Sequence, residues 1–300
     1  MHARACAEED GQLIEPAYLA PVVPWILVNG AMGIATGFST TVPMHDARDV
    51  CARTREYIVH RTHVSALEMR VRGYTGVVTR ESGRYTTSAQ VQYAAGVATI
   101  TELPVGVWTE AYQAKLEDLL DEKVVTKYKN QSTDTAVRFT VHTASPRRLA
   151  LSKHVPTGNM HALDADGALR KWETVDAIVE YFCALRMPMY ERRKAAVARQ
   201  LEDEIARKDG TLQFILLVLS GGAASIFQRA DAAEALRERG FRDDVLDTPL
   251  RACTQERRAR LERDLAALRA TLAEHEATAA VDTWLLEIDA LSAACGANAP

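Results

Sequence analysis

Cysteine is scarce in this sequence and unpaired: Cys6, Cys51, Cys183, Cys253 and Cys295 are odd in number and form no C-x-x-C step. That pattern excludes a disulfide framework and a thiolate zinc site and predicts free thiols in a reducing compartment. Long apolar runs are missing too, and Phe214 to Leu219 is only a short core segment, well below a bilayer span. No charged-then-apolar leader opens the chain, so the reading is a soluble, intracellular protein without a membrane partner. The eight histidines show no H-x-x-x-H or H-E-x-x-H spacing. No phosphate-binding glycine loop ends in Lys-Ser or Lys-Thr, so neither a metal site nor an ATP site is expected within the chain. Charge of one sign is also lacking, with a net charge of −4 over 300 residues.

What is present lies in the distribution. A hydrophobic content of 47% suffices for one large or two modest domains. Between Lys123 and Lys153 seven cations face Asp134 alone. Taken alone, such a cluster reads as a solvated face; the other reading is a set of phosphate contacts, with Lys127, Tyr128 and Lys129 as its candidates on a loop. Arg192, Arg193 and Lys194 form a second cluster, read as solvating a long helix.

The most specific segment is Ile14 to Pro43, IEPAYLAPVVPWILVNGAMGIATGFSTTVP. Its four prolines and its glycines exclude an ordinary amphipathic helix. Ile34 is presented between Gly33 and Ala35-Thr36-Gly37. Asn29, Thr36 and Ser39 can donate to phosphates, while Gly30, Gly33 and Gly37 let backbone N–H groups come close. Local turn bonding is the other reading of these residues.

This segment closely resembles the signature downstream of the active-site tyrosine in type IIA DNA topoisomerases, in their eukaryotic and large-virus branch. Glu15, Pro16, Pro21, Pro24, Leu27, Val28, Asn29, Gly30, Ala31, Gly33, Ile34, Thr36, Gly37, Phe38, Ser39 and Pro43 fit that pattern, and Ala35 departs from its usual glycine. Further matches follow along about residues 9 to 295. They are the Glu9-Asp10-Gly11-Gln12 turn, Gly73-Tyr74-Thr75-Gly76, and the block with Glu102, Leu103, Pro104, Trp108, Thr109 and Tyr112. The run STDTAVRF has Ser132 in place of His, and VLDTPLRACTQER and WLLEIDAL complete the series.

The resemblance implies an α+β fold: a small mixed β tower (shoulder) domain followed by a long antiparallel coiled coil and a helical exit gate. Its expected boundaries are 1–45 for the end of an upstream DNA-binding region and the signature loop, with Met1 to Ala7 a loose end or a remnant of an upstream domain. The tower follows at 46–172, the first coiled-coil helix at 173–210, the exit gate at 211–254, and the returning and C-terminal helices at 255–300. Periodicity independently predicts a helix from Asp46 to about Ile58, capped by Asp46. It also predicts a strand meander over 66–100 and an Asp-Gly hairpin at Asp164 to Gly167. A long helix from Thr174 should carry Val175, Ile178, Phe182, Leu185 and Met189 on one face and kink or break at Pro188. A second should run from Gln255 to Ala277 with Leu261, Leu265, Leu268 and Leu272. Trp108, Trp172 and Trp284 are expected in the core or an interface.

In this family the matching isoleucine wedges between base pairs and helps bend the duplex to be cut, so Ile34 is the expected wedge; without the motif around it, filling a core is the preferred reading. The family's Arg-Tyr nucleophile pair, metal site and ATPase are expected upstream, in the same or another chain. Tyr18 and Arg84-Tyr85 do not match that pair, and Asp164 with Asp166 reads as a turn. Mg²⁺ and ATP belong to the full enzyme, with none expected within this chain. The implied partners are double-stranded DNA and a second copy through the exit gate, in the nucleus or at a viral replication site. Two other classes stay open: a non-catalytic DNA-bending or dimerisation protein, and a split subunit needing a catalytic partner.

Overall fold

A computed structural model describes residues 6–9, 12–16, 19–63, 66–227, 231–249, 251 and 253–297. Strands β1 (Cys6–Glu9) and β2 (Gln12–Pro16) form a hairpin; the expected turn residues Asp10 and Gly11, and Tyr18, lie outside the described residues. The signature segment then supplies a short helix α1 (Trp25–Asn29), a hairpin of β3 (Ala31–Ala35) and β4 (Phe38–Val42), and α2 (Ala47–His60). The Asp46 carboxylate accepts from Arg48 N at 2.9 Å and caps α2 as its sequence requires.

The expected meander is divided between two sheets. Strands β5 (Val77–Glu81), β6 (Arg84–Ser88), β7 (Gln90–Ala94) and β8 (Val97–Glu102) are followed by helix α3 (Thr109–Asp121). After it come β9 (Val125–Asn130), β10 (Phe139–Thr143) and β11 (Ser152–Pro156). One sheet has the order β7-β8-β10-β9 and the other β11-β6-β5. Leu67 and Met69 alternate as a strand should and are buried, yet no ladder forms there; Arg70 N instead donates to Met44 O at 2.9 Å. The core of this region is α3 against the four-stranded sheet: Tyr112, Leu116 and Leu119 meet Ala98, Ile100, Phe139 and Val141. Tyr112 meets Phe139 edge-on at 5.3 Å and donates its hydroxyl to Leu149 O.

Hairpin β12 (Met160–Leu163) and β13 (Leu169–Trp172) turns at Asp164, whose carboxylate accepts from Asp166 N and Ala168 N. Helix α4 (Val175–Leu219) runs 45 residues with Pro188 inside it, so of the expected kink or break the break does not occur. Its buried positions near the start are Ile178, Val179 and Cys183, so the apolar stripe is rotated by about one residue from the expected one. Asp176 in its first turn accepts two bonds from the buried Arg53 guanidinium, at 3.0 and 2.7 Å, while Glu56 takes a third at 2.9 Å.

Short helices α5 (Ala224–Phe227) and α6 (Ala232–Arg237) precede α7 (Gln255–Ala277) and α8 (Ala280–Ala297). Two compact units result. One comprises Arg186–Trp284 with the first hairpin, and the other Ala20–Leu185 with the chain from Leu285. Within the first, α7 runs antiparallel to α4: Lys194 Nζ donates to Glu276 O at 2.9 Å and Arg269 pairs with Asp209 at 3.1 Å. Leu261 and Leu265 join Leu212, Phe214, Ile215, Ile226 and Leu236 in one apolar cluster. Trp284 is wholly buried and stacks on Tyr190; Trp172 is also buried. Trp108 is not, at 76% exposed, because it precedes α3 at the helix entrance with its ring outside the sheet–helix core.

The base of the β3–β4 hairpin is a clamp. Leu27 O accepts from His45 N at 2.9 Å and from His45 Nδ1 at 3.1 Å. A carbonyl only accepts, so the proton sits on Nδ1, and Nε2 is buried with no partner among the described residues. Burial holds this imidazole below its ordinary 6.5, against the Leu27 carbonyl and the charges of Asp49, Glu68 and Asp176. Gly30 has φ +64°, and a Cβ there would lie 2.5 Å from Met44 Cγ and 2.9 Å from Val42 O.

Two outcomes are expected. Gly30→Ala should lower unfolding stability by about 2 kcal/mol in urea titration, since it combines a left-handed backbone with contact to a carbonyl; an unchanged midpoint would show that the clamp yields. Because the folded state prefers neutral His45, the unfolded state binds more protons below about pH 6.5. Stability should therefore be level above that pH and fall as pH drops through the window down to the lowered folded value. His45→Gln, which keeps a donor but takes up no proton there, should flatten that part of the thermal-melting profile.

Candidate nucleic-acid interface

The β3–β4 register pairs Ala31 with Val42, Met32 with Thr41, Gly33 with Thr40, Ile34 with Ser39 and Ala35 with Phe38. Thr36 and Gly37 form the two-residue turn, with positive φ (+92°) at Gly37 and not at Thr36. That is the pattern of a type II turn, in which glycine suits the second central position. Opposed residues of an antiparallel pair share a face, so Met32, Ile34, Ser39 and Thr41 project together.

Ile34 is 93% exposed and Met32 76%. The core-filling reading of Ile34 is thereby excluded within the described residues. Its burial would be worth about 2 kcal/mol, which this fold forgoes. Gly33 leaves the neighbouring backbone bare: a Cβ there would meet only Thr40 Cγ2, at 3.9 Å. Thr36 and Gly37 are exposed at the tip, and Asn29 is exposed where α1 ends, next to Gly30.

The hairpin is held from its β4 side by β12 and the residues before it. Thr41 N donates to Asn159 O at 2.8 Å, and Asn159 Nδ2 donates to Ser39 Oγ at 2.9 Å. Thr40 Oγ1 donates to His161 O at 2.7 Å and accepts from His161 N at 3.0 Å, and the Phe38 and His161 rings lie 6.1 Å apart. Sequence reasoning missed Thr40, Asn159 and His161. No local motif marks them, and their role exists only across about 120 positions of chain.

The structure does not bring Lys127, Tyr128 and Lys129 to the hairpin. They lie on β9, in a different sheet, and not on a loop as the basic composition suggested. Alternation then separates them. Tyr128 turns to the α3 side, and its hydroxyl donates to Glu117 Oε1 at 3.0 Å. Desolvation and that carboxylate push its phenol up. Lys127 and Lys129 stand on the open face, in cross-strand rows with His142, Val97 and Ala94, and with Thr140, Thr99 and Gln92. Tyr128 therefore drops out of the exposed set, while the two lysines form a cationic edge on a polar sheet face.

The other chemistry-bearing residues are accounted for structurally. Tyr85 is 2% exposed and donates its hydroxyl to Leu67 O, and burial raises its pKa. Asp164 is occupied by its own turn. Among the described residues no group of three His, Cys, Asp or Glu side chains could hold a metal ion, and no helix is long and apolar enough to cross a membrane.

Comparison with known proteins gives a consistent result. Arabidopsis thaliana DNA topoisomerase 2 is 32% identical over 254 residues, covering 78% of this chain and 17% of that protein. DNA topoisomerase 2 of Invertebrate iridescent virus 6 is 27% identical over 214 residues, 67% of this chain and 19% of the viral one. The chain thus spans less than a fifth of these relatives. The fold matches a crystal structure of the Plasmodium falciparum topoisomerase II DNA-binding, cleavage and re-ligation domain, with a TM-score of 0.77 at 23% identity. That match covers 97% of this chain and 46% of the other. The family model for the DNA gyrase/topoisomerase IV A-subunit matches residues 5–289, and by that match the chain belongs to this family of type II DNA topoisomerases.

Proposed function

We propose that this chain is part of the DNA breakage-reunion core of an ATP-dependent type II topoisomerase. It binds and bends the duplex that is to be cut. The observation that carries this reading is Ile34, an isoleucine 93% exposed at the end of a braced ribbon. An apolar side chain held in water at a rigid tip suits insertion between base pairs, where unstacking of about a few kcal/mol is offset by backbone contacts to the bent duplex. Thr36 and Ser39 supply neutral donors around the tip and Asn29 one at its base, with Gly33 and Gly37 opening the backbone, and Lys127 and Lys129 supply charge.

The strand-cutting chemistry lies outside this reading of the chain. Tyrosine attack on a phosphodiester needs a nucleophile and a divalent metal to stabilise developing charge. Mg²⁺ and ATP act in the full enzyme, in the nucleus or at a viral replication site, on domains carried upstream or by a partner chain. The antiparallel α4–α7 pair and its apolar cluster support a coiled coil ending in an exit gate, through which two copies meet.

Ile34→Ala should reduce the bend of a short end-labelled duplex, read by energy transfer, with at most a modest loss of affinity; an unchanged bend overturns the wedge. Lys127→Ala and Lys129→Ala should each lower the slope of log affinity against log salt by about 1. The purified chain with ATP and Mg²⁺ should not relax supercoiled DNA, and ATP-dependent relaxation would overturn the division of labour.

A further inference from the structure

Ser39 and Thr40 are neighbours on one strand, with the same hydroxyl chemistry and opposite hydrogen-bonding states. Thr40 Oγ1 both donates and accepts, to His161 O and from His161 N, and its single proton is used. Ser39 Oγ accepts from Asn159 Nδ2 at 2.9 Å, and among the described residues its own proton meets no acceptor. A hydroxyl has one proton and two lone pairs. Filling one lone pair from Asn159 fixes where the proton can point and polarises the O–H bond, which makes it a better donor.

We infer that Asn159 is a positioning residue that presents the Ser39 hydroxyl as a hydrogen-bond donor to a phosphodiester oxygen of the duplex engaged by Ile34. Ser39 lies directly across the ribbon from Ile34, so the apolar tip and the hydroxyl project from one face. A phosphate oxygen is acceptor-only and complements a donor whose lone pair is already taken. The backbone bond from Thr41 N to Asn159 O ties the same residue to the strand, so the amide and the hydroxyl keep one geometry. Asn159 thus couples the edge of β12 to the tip chemistry across 120 positions of chain. This inference rests on the reading that the hairpin contacts DNA.

The test is a double-mutant cycle on the full chain, with a short end-labelled duplex as the probe. Ser39→Ala and Asn159→Ala should each weaken binding roughly threefold to tenfold, and the double variant should be no weaker than Ser39→Ala alone. The salt slope should not move, because neither side chain releases counterions. Asn159→Asp, which can only accept, should draw the Ser39 proton to itself and bind more weakly than Asn159→Ala. Losses that simply add would show that Asn159 does not act through Ser39 and would overturn the inference. Asn159→Ala leaves the backbone bond in place, and thermal melting checks its fold. Should it not fold, Ser39→Thr and Ser39→Ala supply the second arm: the first keeps the hydroxyl, the second removes it, and equal affinities overturn the assignment. If Ile34→Ala still reduces the bend while the Ser39 variants bind normally, this inference alone fails. If neither site matters, the hairpin reading itself fails.

Discussion

A two-stranded ribbon has no core of its own and is marginal in water, so a ribbon that carries an exposed isoleucine depends on restraint from outside. Here the restraint comes from two directions. At the base, Leu27 O accepts twice from His45 while Gly30 lets Met44 and Val42 close in. Along the β4 side, the chain at Asn159 and His161 takes up the Thr41 N–H and both functions of the Thr40 hydroxyl. The rest of the signature segment makes sense as the means of keeping those two supports in register. Val23 and Leu27 ahead of the ribbon and Val42 at its base are buried, in contrast to the exposed tip.

Polarity is distributed with the same economy. The chain as a whole is slightly acidic, and β9 carries two of its cations, Lys127 and Lys129, in a sheet whose other face is sealed by α3. Strand alternation leaves Lys127 and Lys129 on the open side and commits Tyr128 to the helix side. Around Ile34 the donors are neutral. In the function proposed above, charge on the sheet face would raise affinity without regard to position, while the apolar tip with its fixed donors would set geometry.

The family match extends over residues 5–289, although the relatives it resembles are several times longer. The chain therefore matches a contiguous share of those relatives. Its two compact units follow that logic: one built on sheets and the signature ribbon, the other on a long antiparallel helix pair with an apolar cluster.

By itself the sequence determined the elements whose signals are local. The Asp46 cap, the Asp164–Gly167 turn, the leucine spacing of α7 and the proline–glycine grammar of residues 14–43 each depend on neighbours within a few positions. It also led to the family, because those residues stand in one order. Tertiary structure alone decided the rest. Lys127 to Lys129 became a strand because β10 was there to pair with it. Pro188 stayed within a continuous helix, since one lost hydrogen bond does not end a helix that packing holds on both sides of it. Trp108 remained in water because it stands at the N-cap of α3, outside the sheet–helix core. The partners of the hairpin, His45, Asn159 and His161, were invisible in the chain because hydrogen bonds between distant residues leave no periodicity, and only folding brings donor and acceptor within 3 Å.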